Sequence, residues 1–194
     1  MKAVFSALAI ALTLALAGCA DNSRAPEEAI TSARYVSENE PYIALMTMVR
    51  ERGDFGEHSA ILINGSEQTI YDPAGSFRLI PNTRANDVHY GVTERTIDIY
   101  TRYHARFGYY VVVQKLPVSR EVADLVQARA VEQGSTAKFY CADSTSRVLK
   151  GVPGFEDVIN VTMFPGKLRH TFATIPGIET IYVEEEDEGQ NYAL

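Results

Sequence analysis

The chain holds two cysteines, Cys19 and Cys141, and four histidines, His58, His89, His104 and His170. An ionised thiol is a nucleophile, and a neighbouring imidazole can take its proton and return it to a leaving group. Cys141 is well placed for this role. Lys138 to Lys150 (KFYCADSTSRVLK) reads as a helix closed by Gly151 and Pro153. Cys141 then sits near the helix start, where free N–H groups and the helix dipole favour a thiolate. Its own backbone N–H is a natural oxyanion donor, and Tyr71 and Tyr140 are side-chain candidates that nothing in the sequence separates.

Among the histidines, only His58 opens a strand-like run, Glu57 to Ile63 (EHSAILI). Asn64-Gly65-Ser66 then signals a turn, and Glu67 to Asp72 (EQTIYD) returns, so the two runs read as a β-hairpin. With the turn centred on Gly65, His58 lies opposite Asp72, their Cβ atoms about 5 Å apart. A carboxylate there accepts one imidazole N–H, fixes the tautomer and raises the basicity of the other nitrogen. A one-residue change in the turn would put Tyr71 or Pro73 opposite instead. Cys141, His58 and Asp72 are therefore the candidate catalytic residues. Thiol and imidazole lie 83 positions apart, so their contact depends on the fold.

Each residue has a structural alternative. Cys141 could be an inert thiol buried near Phe139 and Val148, as free cysteines often are. His58 could be a strand-edge histidine without a task. His104 shares a helix face with Ile97 and Tyr100, which suits packing. His89 and His170 have no partner at ligand spacing, so neither a metal site nor a cofactor is expected.

The elements that must position these groups are legible in part. Tyr42 to Arg50 (YIALMTMVR) suits a strand, and Pro73 to Ser76 breaks the returning strand of the hairpin. Pro81 to Asp87 reads as loop. Thr93 to Arg106 reads as a helix with Thr93 as N-cap. Tyr109 to Leu116 (YYVVVQKL) is the strongest strand, ended by Pro117. Ser119 to Gln133 is an amphipathic helix capped by Ser119 and stopped by Gly134. A short helix is expected over Pro165 to Ile175 and a last strand over Ile178 to Val183. Helices and hairpins without strict alternation imply an α+β fold.

The N-terminus carries its own chemistry. Ala3 to Ala17 is uncharged and apolar, too short for a comfortable membrane span, and ends Leu16-Ala17-Gly18-Cys19. This resembles the cleavage box of bacterial lipoproteins, in which the cysteine thiol takes the lipid. Residues 1–18 are then a signal peptide and Cys19 the lipidated residue. Loss of Lys2 leaves 17 basic against 25 acidic residues, a net charge of −8. Residues 19–40 read as a lipidated tether, 41–183 as one α+β domain and 184–194 as an acidic tail. Ala20, rather than Asp, after the cysteine favours outer-membrane sorting, with the domain facing the periplasm. Cys141 is then the only thiol of the mature domain.

The order of a strand-borne His before a hairpin and a later Cys at a helix start resembles the circularly permuted branch of the NlpC-type papain-like hydrolases. That branch includes relatives of lecithin:retinol acyltransferase. The matching segments are Gly56 to Ile63, Tyr71-Asp72-Pro73-Ala74-Gly75-Ser76-Phe77, and Cys141 to Leu149. Pro153-Gly154-Phe155 and Phe164-Pro165-Gly166-Lys167-Leu168 also resemble segments of short proteobacterial lipoproteins. Asp72 stands where the family carries His, Asn, Gln or Glu, and Ala-Asp-Ser follows Cys141 in place of a run of small residues. The resemblance implies a papain-like core and a thiol hydrolase acting on an amide bond, as in peptidoglycan stem peptides. A lipid acyltransferase or amidase is the alternative within the family.

Composition narrows the remaining choices. At 194 residues, with 46% apolar and 22% charged residues, the chain is an ordinary globular protein large enough for a real core. Its acidity, with no basic cluster, excludes a nucleic-acid partner. Two non-enzymatic functions stay open: a non-catalytic envelope lipoprotein that binds a ligand or partner, and an interaction protein using Glu184 to Glu188.

Overall fold

The computed structural model describes residues 23–78 and 83–184. The segment 1–18, Cys19 and the acidic run beyond Glu184 lie outside them. The described residues form a mixed α+β fold. Its helices are α1 (Glu27–Ala33), α2 (Glu94–His104), α3 (Arg120–Gln133), α4 (Cys141–Leu149) and α5 (Pro165–Phe172). Its strands are β1 (Tyr42–Arg50), β2 (Phe55–Asn64), β3 (Gln68–Tyr71), β4 (Arg84–Ala85), β5 (Val88–His89), β6 (Tyr109–Pro117) and β7 (Glu179–Glu184). All pair antiparallel in one sheet of order β4-β5-β3-β2-β1-β6-β7.

β1 is central and covered on both faces, which is why YIALMTMVR is apolar almost throughout. Ile43 and Leu45, with Ile61 and Ile63 of β2, pack beneath α3, α4 and α5. Ala44 and Met46, with Ala60 and Leu62, face the other side beneath α2 and Phe77. Ser119 and Thr93 cap α3 and α2 as expected, the latter with a reciprocal bond to Thr96. The stretch expected as a tether contains α1, whose Ile30 is buried in the core. Gln68 N–H also donates to the Tyr35 carbonyl, so the described part of that stretch lies on the domain. Residues 84–85, expected as loop, form the two-residue strand β4.

The β2–β3 hairpin differs from expectation in its register. Ile61 pairs with Tyr71 and Asn64 with Gln68, so the turn centres on Ser66 rather than Gly65. The cause is a tertiary anchor: Asp124 of α3 accepts from Ser66 N–H (2.7 Å) and Ser66 Oγ (2.6 Å). The ladder continued would set Asp72 against Ala60, two residues from His58. The face is preserved, because a shift of two keeps the pleat in phase.

Candidate active site

β3 ends at Tyr71, ahead of Pro73, and β2 runs on alone toward Phe55. This leaves the backbone of β2 around Ser59 open on that side. Open strand edges need cover, and α4 supplies it. Thr145 Oγ1 donates to the Ser59 carbonyl (3.4 Å) and also lies 3.4 Å from Ser59 Oγ. The Ser59 N–H faces the Cys141 thiol. The N-terminus of α4 is thereby brought to the strand that carries His58, although the two residues are far apart in sequence.

Cys141 is the first residue of α4, and its residue surface is 7% exposed. The thiol faces the His58 ring and the N–H groups of Ser59 and Ala142, each of which favours its ionised form. Phe139, two residues earlier, holds φ +73 and is 86% exposed, and Tyr140 is half exposed. A bulky residue in the left-handed region is a strained conformation that its surroundings must enforce. It sits in the turn that delivers the thiol.

On the other side of the ring, His58 Nε2 donates to Asp72 Oδ1 (2.7 Å). Nε2 being engaged there, Nδ1 is the nitrogen available to the thiol. Asp72 is buried, and its Oδ1 also accepts from Tyr100 O–H (2.8 Å). The second oxygen has no hydrogen-bond partner, and His89 Nε2 lies 3.8 Å from it. His104 stacks on His58 with ring centroids 5.8 Å apart and planes 11° from parallel. Its Nδ1 donates to the Tyr100 carbonyl (2.8 Å). Thus the fold brings the three candidates Cys141, His58 and Asp72 together, with a hairpin register other than the one expected. Sequence reasoning missed Tyr100, His104 and His89 as members of the cluster. The signal for the first two was present, since they share one face of α2 four residues apart.

Two further residues hold the carboxylate in place. A Cβ added at Gly75 would lie 1.8 Å from Asp72 Oδ2, so the glycine makes room for the carboxylate itself. Asp87, also buried, accepts from Ala74 N–H (3.3 Å) and Thr136 N–H (2.7 Å), and its carbonyl accepts from Asp72 N–H (2.8 Å). It clamps the Asp72 turn to the segment that enters α4. Burial pushes its own carboxyl up, against the bonds from Thr136 and Ala74.

The electrostatics follow from this geometry. Burial disfavours a charged His58, but the hydrogen bonds to Asp72 and Cys141 outweigh it and raise the imidazole to about 10. Burial likewise opposes ionisation of Asp72, and the bond from His58 with the nearby His89 holds its carboxyl well below the usual range. The Cys141 thiol is lowered: His58 and the two N–H groups overcome desolvation. Burial takes His104 down to about 4, so it stays neutral beside the charged pair. The arrangement favours a thiolate against an imidazolium, the state required for nucleophilic attack on a carbonyl.

A cavity of about 270 Å³ borders His58 and His104, with Met48, Ser76, Arg106 and Tyr109 among its walls. Tyr71, one candidate oxyanion donor, instead points into the opposite core and lies 3.5 Å from Thr136 Oγ1. His170 lies elsewhere, against Arg169. Comparison with known proteins finds no matching family, no matching curated protein and no matching solved structure.

Proposed function

We propose that this chain is a lipid-anchored thiol hydrolase of the bacterial cell envelope, built on a permuted papain-like core and acting on an amide bond. One observation carries the reading: a thiol at a helix N-terminus shares an imidazole with a buried, ionised carboxylate. Cys141 Sγ attacks the amide carbon, and the oxyanion forms beside the backbone N–H of Cys141. The imidazolium of His58 gives its proton to the departing amine, leaving a thioester on Cys141 and a neutral His58. His58 then takes a proton from water as that water attacks the thioester. Collapse releases the carboxylic acid and restores the thiolate–imidazolium pair. Asp72 keeps the His58 tautomer through both steps.

The substrate we favour is a peptidoglycan stem-peptide amide, consistent with a domain tethered by Cys19 to the outer membrane and facing the periplasm. Exposed Phe139 and Tyr140 beside the thiol support a second substrate class, a lipid acyl group taken up through the same thioester. The test is to incubate the folded protein with purified peptidoglycan fragments and, separately, with acyl-lipid vesicles. Products are read by mass spectrometry against Cys141→Ala. Cleavage or acyl transfer lost in the variant supports the proposal, and its location tells the substrates apart. Failure of both substrates to react, with Cys141 unreactive toward small electrophiles, overturns it.

A further inference from the structure

The cluster holds one more feature that hydrolysis does not use. His58, Asp72 and His104 each present a metal-ligating atom, and the three atoms lie within 4.8 Å of one another. His104 Nδ1 faces a carbonyl, which can only accept, so this nitrogen carries the proton and Nε2 carries a lone pair. A histidine whose second nitrogen donates to a backbone carbonyl is oriented in the manner of a metal ligand. The Tyr100 hydroxyl orients the Asp72 carboxylate in the same way, by donating to Oδ1, the oxygen that meets His58. The cavity bordered by His58 and His104 supplies a way in.

We propose that His58, Asp72 and His104 form a binding site for a zinc ion that competes with the use of His58 as a base. Two imidazole nitrogens and one carboxylate oxygen with an open fourth position suit Zn²⁺, with bonds of about 2.0–2.2 Å. Tetrahedral ligands at that length stand roughly 3.3 Å apart. The His58–Asp72 pair must therefore open slightly from 2.7 Å while His104 approaches. The metal replaces the proton between His58 Nε2 and Asp72, and that proton goes to solvent. Nδ1 of the metal-bound ring then keeps the proton it shares with the thiolate, and the ring no longer gives a proton to a leaving amine and takes one back from water. Zinc thus stops the acid–base cycle of His58 and leaves the thiolate in place. Zinc binding here does not depend on Cys141 being a nucleophile; the competition rests on the proposed function.

A thiolate is itself a zinc ligand, so the test begins from Cys141→Ser. Zinc chloride is titrated into the full chain by calorimetry, and cobalt(II) by electronic absorption. Expected are one metal per chain and a cobalt spectrum without thiolate charge transfer. Adding His104→Asn, which keeps a donor for the Tyr100 carbonyl and loses Nε2, should weaken binding at least about tenfold. A metal-free melting curve for each variant shows that the fold is intact. If His104→Asn lowers the melting temperature sharply, His104→Gln replaces it. No binding in Cys141→Ser, or equal affinity with and without Nε2 of His104, overturns the proposal.

Discussion

Gly75→Ala adds one methyl group and removes nothing, so it isolates the placement of Asp72. The new Cβ would start 1.8 Å from Asp72 Oδ2 and 2.1 Å from its Cγ. Restoring an ordinary contact of at least 3.4 Å requires a displacement of about 1.6 Å. The carboxylate is not free to swing, because it is buried and held by His58 and Tyr100. One charge-assisted hydrogen bond, worth about 1.5–3 kcal/mol, is lost, and overpacking adds about 1–3 kcal/mol. We expect a net loss of about 3 kcal/mol, seen as a melting temperature roughly 6–12 °C lower for a domain of this size. The assay is a double-mutant cycle with Asp72→Ala, read by denaturant unfolding. If the collision is with the carboxylate, Gly75→Ala costs almost nothing once Asp72 is alanine. Thiol alkylation should show the same coupling, with Gly75→Ala resembling Asp72→Ala. An equal cost in both backgrounds would refute this account and place the strain in the turn backbone.

Two other perturbations test the frame around the site. Asp87→Ala leaves the N–H groups of Ala74 and Thr136 without their acceptor, at about 1–3 kcal/mol per buried orphan. Asp87→Asn keeps a carbonyl oxygen there and should recover most of the loss in chemical denaturation; equal losses would show that charge, not acceptance, matters. The His104 imidazole is held at about 4 when folded against 6.5 unfolded, so its contribution is present above pH 6.5 and is lost as pH falls toward 4. That loss is about 3 kcal/mol over the interval, and unfolding curves of His104→Asn should lack this part of the acid slope. An unchanged slope would mean that His104 is already charged in the fold.

The helices and strands were readable because caps and periodicity are local: Ser119 before Arg120, Thr93 before Glu94, and Gly134 after Gln133. Residue types and face parity were enough to put Cys141, His58 and Asp72 forward as candidates, with Tyr71 and Pro73 left open beside Asp72. The exact register was not, because Asp124, 58 positions from Ser66, sets the turn. Likewise His89 reaches Asp72 through β5, a strand of two residues with no periodicity to read, and Asp87 does so from the turn just before it. Tyr100 and His104 looked like packing residues on a helix face, and they do pack; only the fold shows that they pack against a carboxylate. α1 carries a single buried apolar residue, too little to separate from a tether by composition.

The proposed chemistry requires the Cys141 thiol to be ionised by its partnership with His58. Its direct test is the rate of iodoacetamide modification at Cys141 in the native chain as a function of pH, followed on the peptide by mass spectrometry. Expected are modification that persists below the pH range of a free cysteine, and a profile shifted upward in His58→Ala. A native thiol that stays unmodified near neutral pH, or a profile that His58→Ala leaves in place, would contradict it.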